Sequence, residues 1–320
     1  MKKFPILLLI AFFLSFIFSA CARADENKNI RLGVIRFLSR ADGVTEKQAE
    51  AIGDIFARIL ANSKALTIVE RDRLDEIANE HQLLKEGRFE DDAVIEVGKL
   101  MSCQYMLLGA VTNLERKTRE TDLWLVSEKK QNVSVTLDIR VVDVTTSKII
   151  LSFSESGSAS QKGSGFNFYG VQTNDQNFTG IEIPAIVEAV SRACFKIRET
   201  YGNEYAHVID VSSKEITIDA GEDWGITSGA LFEIYSDGKE VINLDGVSMG
   251  KKRTPLALVK ITRVQRDFSV AEVIKNGGRA SSVRKGNKIQ PISQKEADDL
   301  IKQKFFKTSQ SSKNEKKKKR

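Results

Sequence analysis

The sequence predicts an α/β sandwich domain, a mixed sheet with helices, followed by a small all-β barrel-like domain. Between residues 30 and 200, strand-like alternation and helix-like apolar spacing take turns along the chain. From Tyr205 onward the helical spacing stops, and short β-runs are separated by Gly and Asp. The hydrophobic share, 41% of 320 residues, is enough to give each of about two domains a packed core.

Residues 1–24 read as a bacterial secretory signal. Lys2 and Lys3 precede an apolar run from Ile6 to Phe18, too short to span a bilayer comfortably, and the small residues Ser19, Ala20, Ala22 and Ala24 follow. Two cleavage sites compete. Phe18-Ser19-Ala20-Cys21 resembles a lipobox, although lipoboxes prefer Leu where Phe18 stands, and it would leave Cys21 as a lipidated N-terminus. Ala22-Arg23-Ala24 before Asp25 suits ordinary signal peptidase. The first is the stronger reading, because a Cys directly after the apolar run has no other evident use.

The α/β domain is expected over residues 28–203. Ile30 to Phe37 alternates as a strand, and Thr45 with Gln48 forms a capping box for a helix whose Ile52, Ile55, Phe56, Ile59 and Leu60 share one face. A strand at 65–69 leads to an Asp72-capped helix with Leu74, Ile77 and Ala78 turned inward. Asp91 and Asp92 open another helix, striped by Val94, Val97, Leu100 and Met101. Strands follow at 104–112, 133–144 and 148–156, the last two joined by the turn Thr145-Thr146-Ser147. A helix from about Pro184 to Tyr201 closes the domain on Ile186, Val190, Ala193, Cys194 and Ile197. The β domain spans 204–292, with runs at 206–211, 215–219, 230–235, 256–263 and 269–274. Residues 293–320 hold a short helix and a Ser/Asn/Lys tail that cannot bury enough apolar surface to fold.

The net charge of +6 is unevenly placed: the signal carries +3 and residues 301–320 carry +8, which leaves the body 25–300 at −5. A body of that sign lacks the basic footprint of a nucleic-acid binder. The five cations Lys316, Lys317, Lys318, Lys319 and Arg320 would instead attract anionic lipid head groups or serve as a solubilising end. After signal removal Cys103 and Cys194 remain in the body, as two buried thiols or as a disulfide.

No catalytic constellation is evident. The only histidines, His81 and His207, read as solvated or core-edge residues, and two distant His with two distant Cys make no zinc site. Ser-x-x-Lys occurs at Ser127/Lys130, Ser236/Lys239 and Ser282/Lys285 without the companion elements of penicillin-binding enzymes. Gly246 to Lys252 misses the P-loop spacing. Acidic pairs such as Glu222/Asp223 sit where turns and helix starts want them. The expectation is a non-enzyme without metal or cofactor.

Four blocks carry a resemblance: Leu32-Gly-Val-Ile-Arg-Phe37; Leu66-Thr-Ile-Val-Glu-Arg-Asp-Arg-Leu-Asp-Glu-Ile77; Gly98-Lys-Leu-Met-Ser-Cys-Gln-Tyr-Met-Leu-Leu-Gly109; and Val135 to Lys148. In this order they resemble the CsgG family, the curli production assembly/transport lipoproteins of the Gram-negative outer membrane. Gln104, usually Asp, and Cys103, usually a small residue, mark a distant member. The resemblance implies a periplasmic location, an outer-membrane anchor, envelope-protein partners, and a homo-oligomeric ring whose subunits each give two hairpins to a secretion barrel. The corresponding insertions are 114–132 and 154–179. A membrane hairpin needs an apolar lipid-facing alternate in each strand. The first insertion is charged at Glu115, Arg116, Lys117, Arg119, Glu120, Asp122, Glu128, Lys129 and Lys130, so only Leu123 to Val126 could face lipid. The second offers Phe166, Phe168 and Val171 among Gly, Ser and Asn. The alternative is a monomeric adaptor that binds another envelope protein. The second domain, through Asp219 to Tyr235 and Val283 to Ile289, resembles the C-terminal domain of the flagellar protein FlgT.

Overall fold

The computed structural model describes residues 29–303, apart from 36, 70–73, 75, 78–83, 86–87, 90, 124–125, 163–179 and 213–214. The signal with Cys21, the segment with Phe166 and Phe168, His81 and the tail with Lys316 to Arg320 lie outside the described residues.

The first sheet uses β1 (Ile30–Val34), β2 (Leu38–Ser39), β3 (Leu66–Val69), β6 (Tyr105–Leu123), β7 (Val126–Asp143) and β8 (Lys148–Lys162); β4 (Leu84–Lys85) and β5 (Arg88–Phe89) pair separately. Its order is β3-β1-β6-β7-β8, with β2 against β6. β1 runs parallel to β3 and β6, whereas β6-β7-β8 is an antiparallel meander. The sheet is parallel where helices return the chain and antiparallel where short turns do.

Alternation assigns its two faces. Leu32 and Val34 of β1, with Leu107 of β6, pack against α1 (Glu46–Ala61) and α3 (Glu182–Ile197). Ile35 and Met106, one residue out of phase, pack with Leu74, Val97 and Val144 on the side of α2 (Asp91–Leu100). α1 starts on the expected box: the Gln48 N–H donates to Thr45 Oγ1 at 3.3 Å and the Thr45 N–H to Gln48 Oε1 at 2.8 Å. α2 departs from expectation at Leu100, which is 46% exposed. At about 100° per residue Leu100 stands about 120° round the helix from the buried Val94, at the margin of the stripe, and the helix ends there, before Ser102 at φ +54°. Two glycines make close approaches. A Cβ on Gly109 would lie 2.1 Å from the Phe37 ring, and one on Gly157 would lie 2.0 Å from the Ala185 carbonyl of α3.

Both middle strands outrun their sequence-predicted ends. β6 and β7 stay paired from Tyr105↔Asp143 out to Leu123↔Val126, straight through the charged insertion 114–132, and β8 follows β7 to Lys162. Periodicity missed this because polar residues on both faces leave no alternation to read.

The second unit is a closed antiparallel barrel, ordered β10-β13-β12-β11-β14-β9. Its strands are β9 (Ala206–Val211), β10 (Glu215–Ile218), β11 (Leu231–Ile242), β12 (Ser248–Val264), β13 (Ser269–Gly278) and β14 (Lys288–Pro291). Alternate residues fill it: Val208, Ile216, Ile218, Phe232, Ile234, Val259, Ile261, Ala271 and Ile289 are buried together. Gly221 is required by a backbone approach, since a Cβ there would lie 2.2 Å from the Gln265 carbonyl. A short helix, α4 (Gln294–Lys302), caps the barrel through Ala297, with Ser293 and Glu296 as its own capping box.

Candidate functional site

The candidate sites among the described residues are surfaces and the joint that holds them. That joint begins on α3. Its Ile186, Val190, Ala193, Cys194 and Ile197 face the sheet core, while Phe195 belongs to the barrel core, 4.8 Å from the Trp224 ring and 5.6 Å from Phe232. One wider helical turn (Arg198–Gly202) continues α3 and places Arg198, 1% exposed, between the units. Its guanidinium donates to the Ile59 carbonyl at 2.7 Å and the Asp223 carbonyl at 3.2 Å, and lies 4.2 Å from the Trp224 ring centroid. Two backbone dipoles and a ring face thus receive a charge that burial would otherwise disfavour. Glu204 finishes the joint by accepting from Ser63 Oγ at 2.7 Å and the Lys64 N–H at 2.6 Å.

Beside the joint runs a cleft of about 660 Å³, walled by Glu115, Asn132 and Ser134 of the β6–β7 hairpin, Ser158 and Ser160 of β8, and Thr227 to Leu231 of the barrel. β8 is the edge strand of its sheet, and Glu188 of α3 accepts from the edge N–H of Ser158 at 2.8 Å. Burial pushes the Glu188 carboxyl above its usual range; the Ser158 N–H and Arg192 pull it down, while Glu296 pushes it up. Arg192 bridges Glu155 of β8 at 3.0 Å and Glu296 of α4 at 2.9 Å. At the hairpin, Arg116 pairs with the buried Glu182 at 2.5 Å and ties β6 to the start of α3. The cleft is open and mixed, with hydroxyls, amides and charged side chains beside Val133, Pro184 and Leu231, which suits a partner surface better than a reactive small molecule.

Cys103 and Cys194 are both buried free thiols. They lie in separate clusters, Cys103 with Met106 and Val144 and Cys194 with Phe56 and Ile186, so the disulfide alternative is not formed in this structure. Burial raises both thiols above the ordinary range, Cys194 the more strongly, against the weaker opposite pull of Arg31 on Cys103 and Arg198 on Cys194. His207 lies on the barrel surface, 3.6 Å from Asp219. Among the described residues no cluster of His, Cys, Asp or Glu could hold a metal, and no helix is long and apolar enough to cross a membrane.

Arg198, the Arg192 network and a finger at the tip of β11–β12 were not anticipated from sequence. Arg198 gives no signal, since a buried Arg looks like any other. The finger does: Asp245-Gly246 between two β-runs is a hairpin turn sequence.

No curated protein matches the chain. Among solved structures it is similar to the LpoB C-terminal domain from Salmonella enterica, at 17% identity over 43% of this chain and 90% of that one, with a TM-score of 0.30. It is also similar to lipoprotein GNA1162 from Neisseria meningitidis, at 14% identity over 42% and 87% of the two chains and TM-score 0.31. A third likeness is the hypothetical protein CT253 from Chlamydia trachomatis, at 14% identity over 52% and 96% and TM-score 0.33. A family model described as the curli production assembly/transport component CsgG matches residues 15–209, from the signal through the α/β unit and into the first barrel strand. More than half of the chain lies within that match, and the chain belongs to the CsgG family.

Proposed function

We propose that this chain is a non-enzymatic lipoprotein of the Gram-negative cell envelope, held to the outer membrane by Cys21 and working in the periplasm as an assembly or transport component. The observation that carries this reading is the family match over residues 15–209, and the export signal that overlaps its start supports it. Cys21→Ser should move the protein from the membrane fraction to the soluble periplasmic fraction. Wild-type protein beginning at a free Asp25 would overturn the anchor.

Within this role the hairpin bears on the choice between a channel subunit and an adaptor. A lipid-facing wall requires one apolar alternate per strand. In β6, residues 116, 118, 120 and 122 are Arg, Thr, Glu and Asp, while 115, 117, 119 and 121 are Glu, Lys, Arg and Thr. Neither set suits hydrocarbon, so the hairpin supports an adaptor that binds another envelope protein through the cleft and the charged ribbon. The tail Lys316 to Arg320 adds a salt-sensitive attraction to anionic head groups. Mass photometry of detergent-extracted protein discriminates the two: monomers or dimers fit the adaptor, and rings of many subunits fit the channel.

A further inference from the structure

The barrel carries a finger that its own fold does not use. Beyond Ser236, the β11–β12 hairpin leaves the barrel wall, and from Asp237 to Thr254 every residue except the half-buried Asn243 is exposed. Five large apolar side chains crown it: Val241 at 46% exposure, Ile242 at 59%, Leu244 at 106%, Val247 at 58% and Met249 at 68%. Leaving so many in water is costly for a part that contributes nothing to the core.

We propose that this crown inserts into the interfacial layer of an anionic phospholipid bilayer, as a second membrane contact separate from the N-terminal anchor and lying outside the family match. Charge placement argues for this occupant. Lys239, Lys251 and Lys252 stand just behind the crown, exposed and without a carboxylate partner among the described residues, where lipid phosphates would lie once the apolar tip is in. Of the three carboxylates on the finger, Asp237 is paired with Lys288 of β14 at 2.9 Å, Glu240, opposite Lys251, accepts from Ser248 Oγ at 2.5 Å, and Asp245 accepts from the Asn243 side-chain amide at 3.4 Å.

The turn is also prepared for a poorly hydrating medium. Asn243 Oδ1 accepts the N–H groups of Asp245 at 3.0 Å and Val247 at 2.8 Å, while the Asn243 N–H donates to the Val247 carbonyl at 2.9 Å and the Gly246 N–H to the Asn243 carbonyl at 3.1 Å. Backbone groups satisfied within the turn need not be stripped of water on insertion. Depth agrees as well. From Val241 or Met249 to the tip is a few extended residues, roughly 10 Å, which matches the head-group boundary and falls far short of a span.

The test uses the full chain carrying Cys21→Ser and lacking Lys313 to Arg320, so that neither the acyl anchor nor the tail holds it to lipid. Cys103 and Cys194 are buried, so a single introduced thiol can be labelled with an environment-sensitive fluorophore. On phosphatidylcholine vesicles containing phosphatidylglycerol, the probe at Leu244→Cys should shift to the blue and brighten. At Asp267→Cys, in the turn between β12 and β13 at the other end of β12, it should not change. Ile242→Ser with Leu244→Ser and Met249→Ser should weaken vesicle partitioning about tenfold at any salt concentration. Lys239, Lys251 and Lys252 to Gln should weaken it at low salt only. A Leu244→Cys probe that ignores vesicles, or a serine triple variant that binds them as before, would overturn the proposal and leave a protein groove as the site the crown fits. Neither result bears on Cys21, whose fractionation test stands alone.

Discussion

β6–β7 and β11–β12 are built alike and differ in what lies between the core and the tip. Each hairpin starts as part of a core, with Val133, Val135 and Leu137 buried in the sheet and Phe232, Ile234, Ala257 and Val259 buried in the barrel, and each then runs on beyond it. Beyond the core, β6–β7 is charged on both faces in sequence until it reaches Leu123 to Val126, while β11–β12 carries exposed apolar residues on both strands as well, at Val241, Ile242 and Met249. Strand pairing alone therefore does not say what a hairpin is for; the residues beyond the last buried pair do. The long hairpin inside the family match is charged along its strands, and the one outside it is apolar along the last residues of both strands.

The comparison requires that each hairpin be held by its own core, and this can be broken at the support. A side chain at Gly157 would put its Cβ 2.0 Å from the Ala185 carbonyl and 2.6 Å from the Ala189 N–H, so α3 could not stay on β8. Because backbone on both sides must shift, Gly157→Val should cost about 3 kcal/mol or more in urea unfolding. The loss belongs to the sheet, and the barrel reports it only through the joint. Arg198→Met tests that joint. It removes the donors to the Ile59 and Asp223 carbonyls and the charge over Trp224, but leaves an apolar chain to fill the gap, for a loss of about 2 kcal/mol. Separate unfolding transitions for Trp fluorescence and far-UV dichroism in this variant would show that Arg198 couples the two units. Coincident transitions at wild-type stability would show that Phe195 suffices.

Those two residues also mark where sequence reading succeeded and failed. Gly157 lies one residue past the strand predicted at 148–156, and its contact with α3 was not read, but the buried face of α3 was legible as Ile186, Val190 and Ala193, because apolar spacing records which side of a helix is buried. Thr45 with Gln48 and the short barrel strands were legible for similarly local reasons. Arg198 was not, because its partners are carbonyls that carry no sequence signature. Leu100 was misread because a stripe does not say where its helix stops. The extended reach of β6 and β7 was hidden by its polarity, and the crown at Val241 to Met249 by a turn segment that was weighed only as a phosphate loop.

A third change should do almost nothing to stability, and that contrast sharpens the comparison. Leu244 makes no use of the barrel core, so Leu244→Ser should leave the urea midpoint within about 0.5 kcal/mol of wild type. Val135→Ala, at the buried root of the other hairpin, should cost about 1–2 kcal/mol. A destabilised Leu244→Ser protein would mean that the finger folds back and is not free.

The smallest expected effect concerns Glu188, where the sheet edge meets the cleft. Its folded pKa is raised above the ordinary 4.5, mainly by burial, with the Ser158 N–H and Arg192 pulling down and Glu296 pushing up. An acid with a raised folded pKa holds its proton more tightly when folded. Its contribution to stability is therefore complete below about pH 4.5 and is lost as pH rises through the higher folded value. Glu233 and Asp223 are also raised and add the same sign, whereas Glu296 is lowered and adds the opposite, so the bulk pH profile cannot isolate the group. Glu188→Gln can. The amide oxygen still accepts from Ser158, and below pH 4.5 the variant replaces a neutral acid with a neutral amide of similar shape. The two proteins should thus be nearly equal at pH 4, and the variant should gain on wild type between pH 5 and 7, as the buried carboxylate becomes charged in wild type alone. Urea midpoints at three pH values would check it. A wild type that gains on the variant as pH rises would mean that attraction to Arg192 outweighs burial at this edge.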